Sequence, residues 1–158
     1  MHLRLAANTD HSQVATLVDS VYREYGDRLF LEGADGDLLD LEGNYAGRGG
    51  AFVVLDDEGR VRGTQAALPL ADTLGVCTFR RLFLDPDLRG GGWGERLMQW
   101  SLDWAREHEM RRVEFWSDTR FTRAHAFFAR LGFTRGEVRE MDDGAMPYQE
   151  YAFSMDLT

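Results

Sequence analysis

The apolar residues of this chain recur in two rhythms. Val14, Leu17, Val18, Val21, Tyr22 and Tyr25 fall at helical spacing, and residues 3–6 before them read as a short opening strand. Asp10 followed three residues later by Gln13 resembles a capping box, and Gly26 is placed to end the helix. Residues 37–45 predict a second short helix. Residues 51–55 predict a strand, residues 56–59 a turn and residues 61–69 the hairpin partner. Residues 77–84 predict a further strand, stopped by Asp85-Pro86. A glycine run at 90–92 leads into a long helix with the stripe Trp93, Leu97, Trp100, Trp104. Residues 112–116 then read as a strand. Ala124, Phe127, Phe128 and Leu131 line a second amphipathic helix closed by Gly132, and residues 133–140 and 150–156 read as a closing strand pair. The order predicts an α+β (mixed α/β) fold with a largely antiparallel central sheet and flanking helices.

Length and composition narrow the class. The chain has 158 residues, enough for one domain over residues 1–158 with one core, and 44% of it is apolar. No apolar run reaches membrane-span length, and the N-terminus lacks the apolar stretch of a signal peptide. Cys77 is the single cysteine, so no internal disulfide is expected and the default location is cytoplasmic. At Cys77 a small core residue is expected rather than a nucleophile.

The charge is uneven. The net charge is −9, and residues 1–60 carry −7 of it, with twelve acids against five arginines. All eighteen basic residues are arginine. A nucleic-acid binder would show a basic surplus, which is absent. The acidic first part fits attraction of a cationic or zwitterionic small molecule, or serves only as a solvated surface.

The most informative segment runs Leu82-Phe83-Leu84-Asp85-Pro86-Asp87-Leu88-Arg89-Gly90-Gly91-Gly92-Trp93-Gly94-Glu95-Arg96-Leu97. A strand ends, glycines follow and a helix begins. The first N–H groups of a helix lack intrahelical partners and share the positive end of its dipole, so this is a ready anion site. There is neither G-x-G-x-x-G nor Gly-Lys-Ser/Thr, which disfavours a dinucleotide fold and a P-loop.

The pattern Arg-x-x-Gly-x-Gly at Arg89, Gly92 and Gly94 resembles the pyrophosphate loop of the GNAT (Gcn5-related) N-acetyltransferases. The strand at 81–86 and the segment Ala124-His125-Ala126-Phe127-Phe128-Ala129-Arg130-Leu131-Gly132-Phe133 are similar to that family's later elements, in the same order and at the usual distance. The resemblance covers essentially the whole chain. It implies acetyl-CoA as co-substrate, without a metal, and direct acetyl transfer to a small primary amine. It assigns backbone contact with the pantetheine arm to Leu82, Phe83 and Leu84. It assigns pyrophosphate binding to Arg89, Gly90, Gly91, Gly92, Trp93 and Gly94, with Glu95 at the helix start and Phe128 near the sulfur. A backbone N–H of Phe83 or Leu84 would polarise the thioester carbonyl.

Two departures bear on proton transfer. Phe128 stands where many relatives carry a tyrosine acid, and Thr78 where many carry a glutamate. Replacement acids among Tyr148 and Tyr151, a proton carrier at His125, and a water-relayed base among Glu32, Asp40, Glu42 and Asp118 all stay open. The bland alternatives are a stacking helix histidine and half-buried strand tyrosines. The rival functional readings are a non-catalytic acyl-CoA-binding module and a Cys77–His125 hydrolase. The expected partner is a small amine, with no nucleic acid or membrane, and a homodimer is left open.

Overall fold

The computed structural model describes residues 1–157 of the 158. Seven strands form one sheet: β1 (His2–Leu5), β2 (Ala51–Asp57), β3 (Arg60–Pro69), β4 (Val76–Leu84), β5 (Arg112–Asp118), β6 (Thr134–Met141) and β7 (Tyr148–Asp156). Their order is β1-β2-β3-β4-β5-β7-β6, antiparallel throughout except between β4 and β5. Helices α1 (His11–Arg23), α2 (Leu41–Asn44), α3 (Trp93–Glu107) and α4 (Thr122–Leu131) flank it. The expected mixed fold with a largely antiparallel sheet is therefore found.

The sheet buries both faces. On one side Val14, Leu17 and Val18 of α1 and Leu41 of α2 pack on Phe52, Val54 and Ala66. On the other, Met98, Leu102 and Ala105 of α3 and Phe128 of α4 pack on Cys77, Phe79, Phe115 and Phe153. The α3 stripe is wider than the tryptophan spacing suggests: Leu97, Met98, Ser101, Leu102, Trp104 and Ala105 are buried, while Trp93 and Trp100 are only half-buried. The β2–β3 hairpin turns through Glu58 and Gly59, both with positive φ, which is the backbone a two-residue hairpin needs.

Two local expectations are corrected. Asp10 and Gln13 do not form a capping box on α1. The Asp10 carboxylate instead takes the Arg4 guanidinium, at 2.8 Å to each oxygen, and the Ala7 N–H, while Gln13 bridges to Gly59 and Val61. A charged fork forms stronger bonds than a neutral amide, so it wins the carboxylate. Residues 37–45 are not one helix. A 3-10 turn at Gly36–Leu39 stops at Asp40, whose extended backbone (φ −143°) breaks the run before the single turn of α2, and whose side chain accepts from the Gly43 N–H.

The feature that positions the site is the parting of β4 from β5. They pair only at Val76↔Arg112 and Cys77↔Val113, after which β5 stays on β7 and β4 on β3. An extra residue bulges β4 between Arg80 and Phe83, where Thr64↔Phe83 and Ala66↔Arg80 frame the irregularity and Arg81 takes φ +63°. A bulge bends its strand and increases twist, which carries β4 away from β5 and opens a gap from Thr78 onward.

Candidate active site

The gap between β4 and β5 is a cleft of about 910 Å3. Its walls come from β4 (Thr78, Phe79, Leu82, Phe83), β5 (Phe115, Trp116, Asp118) and α4 (Ala124, Phe128). The loop after α1 and the β6–β7 connection meet across it, where the Ala34 N–H donates to the Asp143 carbonyl at 2.8 Å. That contact is close: a Cβ on Gly33 would lie 2.2 Å from the same carbonyl oxygen, so only glycine fits.

The glycine loop lies beyond the cleft, past Leu84. Pro86–Leu88 makes a 3-10 turn, and Gly90 and Gly92 hold left-handed backbone at φ +82° and +84°. Only glycine takes that conformation without strain. Gly92 caps α3 without any side chain satisfying the first-turn N–H groups, so their donors stay free for an anion. A Cβ built on Gly90 or Gly92 meets nothing within 4 Å, so the loop's outer surface is open. These amides and that open surface fit a pyrophosphate, and the unpaired β4 edge fits an extended arm beside it. Trp93 is half-buried with the Arg96 guanidinium 4.6 Å above its ring, Gly94 packs toward Phe127, and Glu95 is exposed.

Arg89 is not a free fork. Its two terminal nitrogens hold Glu24 at 2.8 and 2.7 Å, tying the loop to the end of α1. The side-chain hydrogen bond from Arg89 holds the Glu24 carboxyl below its ordinary range.

The other predicted residues separate by location. Leu82, Phe83 and Phe128 line the cleft, whereas Leu84 lies past it beside Gly63. Phe128 is 4% exposed and set among Phe115, Phe153 and Phe133, with ring centroids 5.0, 5.1 and 6.1 Å away. Tyr148 reaches the cleft, but its hydroxyl donates to Asp143 at 2.6 Å. Burial, and then that bond, push the phenol pKa well above its ordinary value. Such a phenol is a reluctant acid. His125 and Tyr151 are not in this cleft. They line a separate cavity of about 400 Å3 beyond α4, where His125 contacts the Ser117 hydroxyl at 3.1 Å and the ring of Tyr151 is 5.6 Å away. Burial, and then Arg135, lower the His125 pKa.

Of the carboxylates considered as a base, only Asp118 lines the cleft, and Arg120 holds it at 2.6 Å. Asp40 and Glu42 instead bind Asn8 on the surface. Cys77 is fully buried, lines neither cavity, and burial pushes its thiol up to about 12. A Cys77–His125 hydrolase is therefore overturned, because the nucleophile would have to be a thiolate.

Sequence reasoning missed the polar cluster at the cleft wall. Arg81 is buried and bonds Asp35 at 2.9 Å, Tyr22 at 3.2 Å and the Ala34 carbonyl at 3.1 Å, and pairs with both oxygens of Asp37. Burial works against the Asp37 anion, but the guanidinium outweighs it and holds that carboxyl below its usual range. The only sequence signal was a double arginine inside an otherwise apolar strand.

The acidic surplus of residues 1–60 is largely consumed in such pairs. Asp10 and Asp56 face Arg4, Glu24 faces Arg89, Asp27 faces Arg120, Asp35 and Asp37 face Arg81, and Asp57 faces Arg62. These pairs reduce the expected pull on a cation without cancelling it, because Arg4 and Arg81 each serve two acids.

Known proteins resemble this chain in sequence and in fold. A family model described as the acetyltransferase (GNAT) family matches residues 17–133. An uncharacterized N-acetyltransferase of Escherichia coli K12, YjgM, is 28% identical over 128 residues, covering 78% of this chain and 76% of that protein. One from Methanocaldococcus jannaschii is 36% identical over 63 residues, but the match spans only 40% of this chain and 28% of that protein. The solved structure of yncA from Salmonella typhimurium with its cofactor acetyl-CoA has the same fold, with a TM-score of 0.75 at 15% identity over 100% of this chain and 94% of that one. No helix among the described residues is long and apolar enough to cross a membrane.

Proposed function

Because the chain belongs to the GNAT acetyltransferase family, we propose that it moves the acetyl group of acetyl-CoA onto a small primary amine by direct attack. The observation that carries this is the pairing of two features: a strand edge left open where β4 parts from β5, and an uncapped glycine loop at the start of α3. When bound, acetyl-CoA supplies a thioester that a neutral amine can attack without a covalent enzyme intermediate.

The chain's own residues do the rest. The amides of the loop at Gly90, Gly91, Gly92, Trp93 and Gly94 bind and anchor the pyrophosphate. Backbone at Leu82, Phe83 and Leu84 orients the arm along β4, with a Phe83 or Leu84 N–H polarising the carbonyl. Phe128 gives an apolar wall and excludes water, but cannot donate a proton. A thiol leaves readily enough, with a reference pKa near 8.5, to depart without a dedicated acid. The amine's proton has one open acceptor among the described cleft carboxylates, Glu137. It is the one without a bound arginine or phenol, and it receives the proton directly or through water.

The test is a panel of amines scored by thiol release, run beside calorimetric titration of acetyl-CoA. Binding with thiol release on at least one amine is the expected outcome. Binding without release on any amine would favour the non-catalytic acyl-CoA-binding reading, and no binding would remove both.

A further inference from the structure

The charges lining the cleft are nearly all spoken for by each other. Arg120 holds Asp27 and Asp118, at 2.7 and 2.6 Å. Arg81 holds Asp35 and Asp37. On the wall of β5, β7 and β6, Arg112 holds Glu114 at 3.0 Å and Arg139 holds Glu150 at 2.7 Å. Tyr148 caps Asp143 at 2.6 Å. The arginines in these clusters are engaged, while Arg81 and Arg120, with two acids each, leave each cluster one negative charge in excess.

Three charged cleft groups make no side-chain hydrogen bond or ion pair among the described residues: Arg28, which stands close enough to Asp19 to lower that carboxyl's pKa, Arg80 and Glu137. Arg28 sits on the loop after α1, and its one hydrogen bond is from its backbone N–H to Asp27. Arg80 is exposed on β4, immediately before the bulge that opens the cleft. It lies on the α1 side of the sheet, close enough to Tyr45 to oppose the rise in that phenol's pKa. Both arginines lie apart from the glycine loop, which begins beyond Leu84. They are therefore not part of the pyrophosphate site.

Two unpaired guanidinium groups lining one cleft offer charge-assisted donors to an oxyanion. A single unpaired carboxylate in the same cleft suits an ammonium. On the reading that this cleft receives the acceptor amine, we propose that the acceptor also carries a carboxylate. It is an amino-acid-type zwitterion, with its carboxylate taken by Arg28 and Arg80 and its ammonium facing Glu137. The overall acidity of the chain pointed instead toward cations in general. The cleft keeps that surplus of acids, because Arg81 and Arg120 each hold two of them, and the two unpaired arginines add a place for the carboxylate.

The test measures binding on the full chain loaded with CoA and, separately, transfer with acetyl-CoA. Probes are glycine, L-leucine, L-phenylalanine, L-methionine and L-glutamate, each beside its α-amide, together with spermidine. The amides are the stringent control, because their amines are less basic and intrinsically more available as the neutral nucleophile. At least one free amino acid is expected to bind on the order of tenfold tighter than its amide, as two charge-assisted contacts imply. R28Q and R80Q are each expected to erase most of that ratio while acetyl-CoA affinity is retained. For a transferred acceptor, the loss should fall on KM rather than kcat. Amides or spermidine binding as well as every free acid would overturn the proposal. So would an acid-to-amide ratio that survives in the R28Q/R80Q double variant. Selective binding of the acids without thiol release keeps this inference and removes the transferase reading. Thiol release from amides and polyamines alone does the reverse.

Discussion

Glu24 and Arg89 form a two-pronged ion pair, 2.8 and 2.7 Å long, that joins the end of α1 to the glycine loop. The arginine that the loop motif offers to a phosphate is thus held by a carboxylate 65 residues away in sequence. To reach a pyrophosphate it must leave Glu24 or share its fork. We expect E24Q to tighten acetyl-CoA binding by a factor of a few, because it removes the competing anion, and R89Q to weaken it. The pair is partly exposed, so either change should move folding stability by no more than about 1 kcal/mol. Calorimetric titration and urea denaturation of both variants check this, and a weaker affinity in E24Q would show that the pair shapes the loop instead of competing for it.

Gly92 combines a left-handed backbone, φ +84°, with an open outer surface. In G92V the side chain would project into the phosphate path, and the backbone strain adds about 1–2 kcal/mol. The expected result is a folded protein, by circular dichroism, with acetyl-CoA binding abolished. Wild-type affinity in that folded variant would remove the loop from the binding site.

Arg81 holds both Asp35 and Asp37 from a largely buried position. R81M should therefore cost about 3–5 kcal/mol, because it leaves buried carboxylates uncompensated. R81G relieves the backbone at φ +63° yet loses the same pairs, so it should still be strongly destabilised. Urea midpoints of the two variants distinguish this from a purely conformational role, in which R81G would match or exceed the wild type.

Phe128 is packed by four other phenylalanines and also lines the cleft. F128A should lose about 3 kcal/mol of stability through the cavity left behind, and acetyl-CoA affinity with it. F128Y should leave turnover unchanged or raise it modestly, by restoring a donor. A collapse of turnover in F128Y would place the ring's edge in a tight apolar site. A collapse in Y148F would show that the proton donor had moved to Tyr148.

His125 gives a pH signature in stability. Its folded pKa lies below the ordinary 6.5, chiefly through burial. Between the folded and unfolded values the unfolded chain binds more protons, so stability rises with pH there and falls as the solution is acidified through 6.5. H125N should flatten that part of the stability curve. Turnover of H125N should keep its pH profile, since His125 faces the smaller cavity. A profile that vanishes near neutrality would instead make His125 the proton carrier.

Much of this protein was legible in the sequence, and for local reasons. Period-2 and period-3.6 patterns report directly on which face of a strand or helix is buried. The order of strands and helices, the hairpin at Glu58-Gly59 and the α4–Gly132 ending were therefore readable. The glycines at 90 and 92 mark a left-handed backbone that only glycine adopts without strain, so the turn into α3 was readable too. The capping box at Asp10 and the helix over 37–45 failed because distant or competing partners took the polar groups those local patterns relied on.

What the tertiary structure alone decided is which charges are free. Arg120 meets Asp27 across 93 residues, Arg81 meets Asp35 across 46 and Arg89 meets Glu24 across 65. An ion pair between residues so far apart leaves no periodicity or spacing in the chain, because each side chain's partner is set by how the sheet and loops close. The same closure placed His125 and Tyr151 behind α4 and left Arg28, Arg80 and Glu137 unpaired in the cleft. Net charge, a sum over the sequence, could not distinguish a carboxylate spent on an arginine from one available to a ligand.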